Sequence, residues 1–112
     1  MPNAFKVVQG DVWWVNLDPV VGQEISKRRP CLIVSPDEMN QHLSTIIAAP
    51  LTSTLRAWAT RCTVRIKAKE SSVALDQIRT LDKSRLIKRE ASVDAEPALR
   101  ILREMFASSG RA

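Results

Sequence analysis

Six stretches of this chain carry the hydrophobic patterns of β-strands, and one long helical stripe follows them. Val12-Trp13-Trp14-Val15-Asn16-Leu17 is dense enough in β-favouring residues to predict a central strand. Asp18-Pro19 breaks it, and residues 20–28, with Gly22 and mixed charge, read as a mobile loop. Pro30 opens a second strand, Cys31-Leu32-Ile33-Val34, where a proline at the start sacrifices no ladder bond. Ser35-Pro36-Asp37-Glu38 predicts a helix start, with Ser35 as cap, Pro36 in the first helical position and Glu38 completing a capping box. That helix must be short, because residues 44–49 are β-like again, and Pro50 is expected to close their strand. Residues 51–60 read as a second loop. Thr63-Val64-Arg65-Ile66 alternates and predicts a half-exposed strand. A turn is expected over 67–72, a fifth strand over 73–79, a helical turn over 80–85 and a short edge strand over 86–89.

The last element is a helix over 95–107, with Asp94 as N-cap. Apolar residues at 98, 99, 101, 102, 105 and 106 form its stripe, and Glu96 and Arg100 form an i,i+4 pair. Strands followed by a helix argue for a mainly β fold with short helices. The expected architecture is an antiparallel barrel plus a C-terminal helix, rather than alternating βαβ units. Trp13 and Trp14 must point to opposite faces of their strand. The 112 residues are the size of one domain, 1–112, with 1–8 and 108–112 expected to be flexible.

Composition narrows the classes. No apolar run approaches the length of a membrane span, and the N-terminus does not read as a signal peptide, so a cytoplasmic protein is expected. Cys31 and Cys62 have no Cys or His at metal-ligand spacing, which predicts reduced thiols, no zinc and no other cofactor. The formal charge of +5 favours phosphates or an acidic partner chain.

Familiar catalytic signatures are missing. There is no Gly-rich phosphate loop, no G-x-S-x-G and no His/Glu zinc motif, and His42 is the single histidine. Polar residues instead cluster where strands end. Glu24, Lys27, Arg28 and Arg29 finish the first loop, Thr52 and Ser53 follow Pro50, and Asp76 and Gln77 interrupt the apolar run 73–78. An acid and an amide there either sit on a solvated strand face or line a groove.

Gly10-Asp11-Val12-Trp13, Leu17-Asp18-Pro19, Gly22-x-Glu24, Arg29-Pro30-x-Leu32-Ile33-Val34-Ser35, Pro50-Leu51-Thr52-Ser53 and 76–82 (DQIRTLD) follow one another in register. In order and spacing they resemble the successive blocks of the MazF/PemK toxin family. The resemblance runs from residue 10 to about residue 89, and the C-terminal helix fits it by position only. It implies an SH3-like barrel acting as a homodimeric toxin of a type II toxin–antitoxin system. The implied activity is sequence-specific cleavage of single-stranded RNA without a metal, the 2′-hydroxyl attacking the adjacent phosphate. The implied partner besides RNA is a cognate antitoxin with an acidic, flexible C-terminal tail.

Carried over by the same resemblance, Arg29 and Thr52 are the central catalytic pair. Arg29 offers a planar fork of donors for phosphate oxygens, and Thr52 a hydroxyl, with Ser53 beside it. Glu24 is the candidate proton acceptor, although it could equally pair with Lys27 or Arg28 or read a base edge. Asp76 and Gln77 carry groups suited to unstacked base edges. Arg56, Arg61 and Trp58 suit phosphate contact and base stacking, with core packing as good a reading of Trp58. Gln23, Lys27 and Arg28 complete the expected RNA contacts. Two positions depart from one branch of the family, which carries an arginine where this chain has Ala74 and a histidine where it has Gln23. The chemistry therefore rests on Arg29 and Thr52. Two rivals remain open: a gyrase-inhibiting toxin like CcdB, whose C-terminal Trp-Gly-Ile is missing here, and a non-catalytic RNA-binding barrel.

Overall fold

A computed structural model describes residues 6–107, and the expectations for 1–5 and 108–112 lie outside the described residues. Seven strands and two helices are arranged as β1 (Asp11–Asn16), β2 (Arg28–Ile33), α1 (Asp37–His42), β3 (Thr45–Thr52), β4 (Arg61–Ile66), β5 (Lys69–Ala74), β6 (Arg79–Asp82), β7 (Leu86–Ser92) and α2 (Glu96–Phe106). All strand pairs are antiparallel, and the path β4-β5-β3-β2-β1-β7 curls into a half-barrel, with β6 also pairing β3.

Period-two alternation splits the apolar residues into two cores, one on each face of the sheet. Trp13, Val15, Cys31, Ile33, Ile46 and Ala48 point into one cluster. Val12, Leu32, Val34, Ala49 and Leu51 point into the other, where Leu99, Ile101 and Leu102 of α2 pack over them. Trp13 is buried at 5% exposure and Trp14 is half-buried on the opposite face, as the alternation requires.

Several boundaries differ from the sequence reading. β3 runs through Pro50 to Thr52, because residues 51–52 pair with β5 after the β2 ladder has ended. The expected strand 73–79 is two strands. β5 starts at Lys69, inside the expected turn, and a 3-10 turn (Leu75–Gln77) separates it from β6. Both follow one another along β3, and the polar pair Asp76-Gln77 marks where the chain leaves the ladder. The expected 80–85 helical turn is confined to Lys83–Arg85, and β7 extends to Ser92 against β1. Ser35 does not cap α1. It is buried, its hydroxyl donates to Asn40 Oδ1, and it accepts from the Ile47 amide at 3.0 Å. In α2, Glu96 pairs with Arg103 rather than Arg100, and Asp94 Oδ1 accepts from the Glu96 amide at 3.0 Å beside the cap residue Ala95.

The inner end of the expected N-terminal arm is tied down. Val7 is buried in the first core, and the Val8 amide donates to Asp11 Oδ2 at 3.0 Å. Asp11 is itself buried, and Arg89 Nε and Ser92 Oγ each donate to its Oδ1 at 3.1 Å. A buried carboxylate is tolerable only with such donors. The Gly10-Asp11 block thus has a structural role, joining β1, β7 and the incoming chain.

Candidate active site

β2 and β3 place Arg29 and Thr52. The ladder pairs Leu32 with Ala49 and Cys31 with Pro50 and ends there, two residues short of Arg29 and of Thr52. Both line one cavity of about 360 Å³, together with Ser53, Trp14, Lys67 and Lys69. Arg29 Nε donates to the Ser26 carbonyl at 3.1 Å, which anchors the guanidinium by its inner edge. Its two terminal nitrogens have no hydrogen-bond partner among the described residues, so the fork remains open to an oxyanion. Thr52 Oγ1 accepts from the Thr54 amide at 3.2 Å and keeps its own proton for donation.

Glu24 and Gln23 stand elsewhere, in a neighbouring cavity of about 380 Å³ lined also by Asp76, Gln77 and Arg79. Pro50 lines this second cavity while Leu51 and Thr52 line the first. Glu24 therefore does not share the Arg29–Thr52 cavity. Its carboxylate accepts from the Val21 amide at 2.8 Å, closing a turn in the loop between β1 and β2.

Asp76 and Gln77 are brought to the groove, yet their polar atoms already have partners. Arg61 Nε and Nη2 donate to the two Asp76 oxygens at 2.7 and 3.1 Å, and Thr60 Oγ1 donates to Oδ1 at 3.1 Å. The hydrogen bond from Arg61 is the main reason the Asp76 carboxyl is held below its ordinary pKa. Gln77 Oε1 accepts from the Ile25 amide at 2.7 Å, and Nε2 reaches the Gln23 carbonyl at 3.5 Å. Both residues thus line the cavity with their polar atoms engaged by protein groups. A 3-10 turn leaves its side chains near two loops whose orphan main-chain groups need partners.

Five expected contact residues, Lys27, Arg28, Arg56, Trp58 and Arg61, lie outside both cavities. Lys27 and Arg28 are exposed at the neck of the first loop, where Lys27 has φ 73° and its amide donates to Asp18 Oδ1 at 3.0 Å. Arg56 and Arg61 lie 4.8 and 4.6 Å from the Trp58 ring centroid, and Trp58 is half exposed, so it serves a loop cluster rather than the core. Conversely, the groove contains residues that local sequence reasoning passed over. Arg79 donates to the Leu17 carbonyl at 3.1 Å on the cavity wall, and its place just after Asp76 and Gln77 in the same block is the signal that could have revealed it. Lys67 and Lys69 arrive beside Arg29 through the tip of the β4–β5 hairpin, a long-range placement with no local signal. Arg29 and Arg79 both act electrostatically on the Cys31 thiol, but burial wins and pushes its pKa up to about 12. Cys62 is also raised by burial, so neither thiol is an activated nucleophile.

The fold is a curled antiparallel half-barrel with a C-terminal helix, and Arg29, Lys67 and Lys69 line a cavity at its strand ends. Residues 8–106 match the family model of PemK-like, MazF-like toxins of type II toxin–antitoxin systems, and the chain belongs to that family. It is 36% identical over 96 residues to the endoribonuclease EndoA of Bacillus subtilis, covering 80% of this chain and 83% of that one. It is similar to the crystal structure of MazF from Deinococcus radiodurans, with a TM-score of 0.76, 28% identity, and 90% and 94% of the two chains covered. A Deinococcus radiodurans MazE–MazF structure is similar at a TM-score of 0.67 and 27% identity, covering 90% of this chain and 92% of that one.

Proposed function

We propose that the protein is a sequence-specific endoribonuclease toxin that cleaves single-stranded RNA without a metal. The carrying observation is the open guanidinium fork of Arg29, which lines the same cavity as the Thr52 hydroxyl. Family membership and a relative named as an endoribonuclease support the reading. The 2′-oxygen loses its proton and attacks the adjacent phosphorus, the bond to the 5′-oxygen breaks as that oxygen takes a proton from water, and the products are a 2′,3′-cyclic phosphate and a 5′-hydroxyl. Negative charge grows on the non-bridging oxygens during this step. Donors already aimed at those oxygens stabilise the transition state more than the ground state. Arg29 supplies the fork and Thr52 one hydroxyl bond. Lys67 and Lys69 draw the backbone into the same cavity.

Glu24, in the second cavity, is the candidate to take the 2′-proton once bound RNA reaches both cavities. The protein acts as a homodimer, and its antitoxin closes the groove with an acidic segment. The net charge of +5 and the cationic lining fit such a partner.

The test is cleavage of a long single-stranded RNA in EDTA by the protein and by Arg29→Ala. Discrete cuts with 5′-hydroxyl ends, lowered at least about 100-fold in a folded variant, are expected. Intact RNA with the unaltered protein would sink the proposal and leave a binding toxin. Cutting that survives Arg29→Ala would remove Arg29 from the chemistry.

A further inference from the structure

We propose that Asp76 and Gln77 are positioning residues that fasten the two loops walling the groove to one rigid turn, and so set its width around Arg29 and Thr52. The inference rests on the endoribonuclease reading above and deepens it.

The turn is a firm anchor. Leu75 is fully buried in the second core, and its amide donates to the Thr60 carbonyl at 3.1 Å. From this base the two following side chains diverge. Asp76 takes the far end of the loop between β3 and β4, where Thr60 Oγ1 donates to it at 3.1 Å and Arg61 opens β4. It is gripped through both oxygens by Arg61, whose side chain is only 6% exposed and lies 4.6 Å from the Trp58 ring. Gln77 takes the loop between β1 and β2, and the 2.7 Å bond from the Ile25 amide is its main hold, since the contact to Gln23 is 3.5 Å. The loop between β3 and β4 thus follows directly on Thr52 and Ser53, and that between β1 and β2 carries Gln23 and Glu24.

A side chain reading a base must give up its bonds within the protein first. For Asp76 that would strand a nearly buried guanidinium, and for Gln77 it would orphan a main-chain amide. Holding loops keeps all these groups satisfied. Misplacement of reacting groups by about 1 Å is enough to slow a positioned reaction by about 100-fold. Loosening either fastening should therefore reduce turnover without changing which sequence is cut.

The discriminating variants are Gln77→Leu, which removes the acceptor at similar size, and Gln77→Glu, which keeps an acceptor for the Ile25 amide. Asp76→Asn tests the other arm. Amide hydrogen exchange on the RNA-free protein reads the fastening itself. Gln77→Leu should speed exchange at Ile25, and Gln77→Glu should restore protection. On RNA, kcat should fall about 10- to 100-fold in Gln77→Leu and in Asp76→Asn, with cut sites unchanged and Gln77→Glu close to the parent. Unchanged exchange at Ile25 in Gln77→Leu would overturn the fastening. A shifted cut sequence with kcat intact would make Gln77 a base reader instead. Should the unaltered protein cut no RNA, the endoribonuclease reading fails, while the exchange data still decide whether the turn holds the loops.

Discussion

Gly10 shows how a single residue can be required for reasons remote from chemistry. Its φ is 96°, a left-handed conformation that side chains rarely adopt, and an added Cβ would meet the Val93 carbonyl at 2.7 Å. The same residue accepts from the Val93 amide at 2.8 Å and donates to the Ile33 carbonyl at 2.9 Å, so neither chain can move away without losing a ladder bond. Gly10→Ala should destabilise the fold by about 2–4 kcal/mol, combining left-handed strain and backbone overpacking. Thermal unfolding followed by circular dichroism measures this, and an unchanged midpoint would mean that the approach relaxes at no cost. Arg29 is the functional counterpart. Its identity matters through the open terminal nitrogens, and no packing argument asks for a guanidinium there.

At the scale of elements, what was legible followed the strength of the local pattern. β1, β2 and the stripe of α2 were all visible, because each carries a period that one face of a core must match, while the short α1 was marked by the residues at its start. The region 67–82 was not, because its pairing is long-range. Lys69 to Ser72 carry no apolar alternation and are strand only because β4 lies beside them. The connecting turn is itself at odds with its residues, since Lys67 and Ala68 have φ of 51° and 67°. A two-residue hairpin turn of this hand favours Gly or Asn. Ala68→Gly should stabilise the protein by up to about 1 kcal/mol, the left-handed strain relieved less the added chain entropy. Urea midpoints of the two proteins measure it. A loss of stability would show that the entropy of glycine outweighs the strain.

Across the whole molecule, the site forms where distant pieces of chain converge on the end of β3, and this is why only part of it could be read in advance. Arg29, Thr52 and Glu24 stand in recognisable blocks, whereas the arrival of Lys67, Lys69 and Trp14 depends on how the β4–β5 hairpin folds across. Two carboxylates fasten that hairpin. Asp76 binds Arg61 at its base, and Glu90 of β7 binds Lys67 at its tip at 3.2 Å while accepting from Trp14 Nε1 at 3.1 Å. Both are held below their ordinary pKa, Asp76 first by the Arg61 hydrogen bond and Glu90 first by the one from Lys67, then by Trp14. A carboxylate depressed in the folded state adds stability above its unfolded pKa of about 4, and loses that contribution as pH falls through the folded value. The protein should therefore keep its stability from neutral pH down to about pH 4 with respect to these two groups, and weaken below it. Asp76→Asn combined with Glu90→Gln removes both titrations, so the variant should be less stable at pH 7 but show a shallower decline between pH 4 and pH 2.5. Urea midpoints across that range provide the measurement. A decline as steep in the double variant as in the parent would place the acid sensitivity elsewhere, and the hairpin would then owe its position to the apolar packing of Cys62, Val64 and Ile66 under α2.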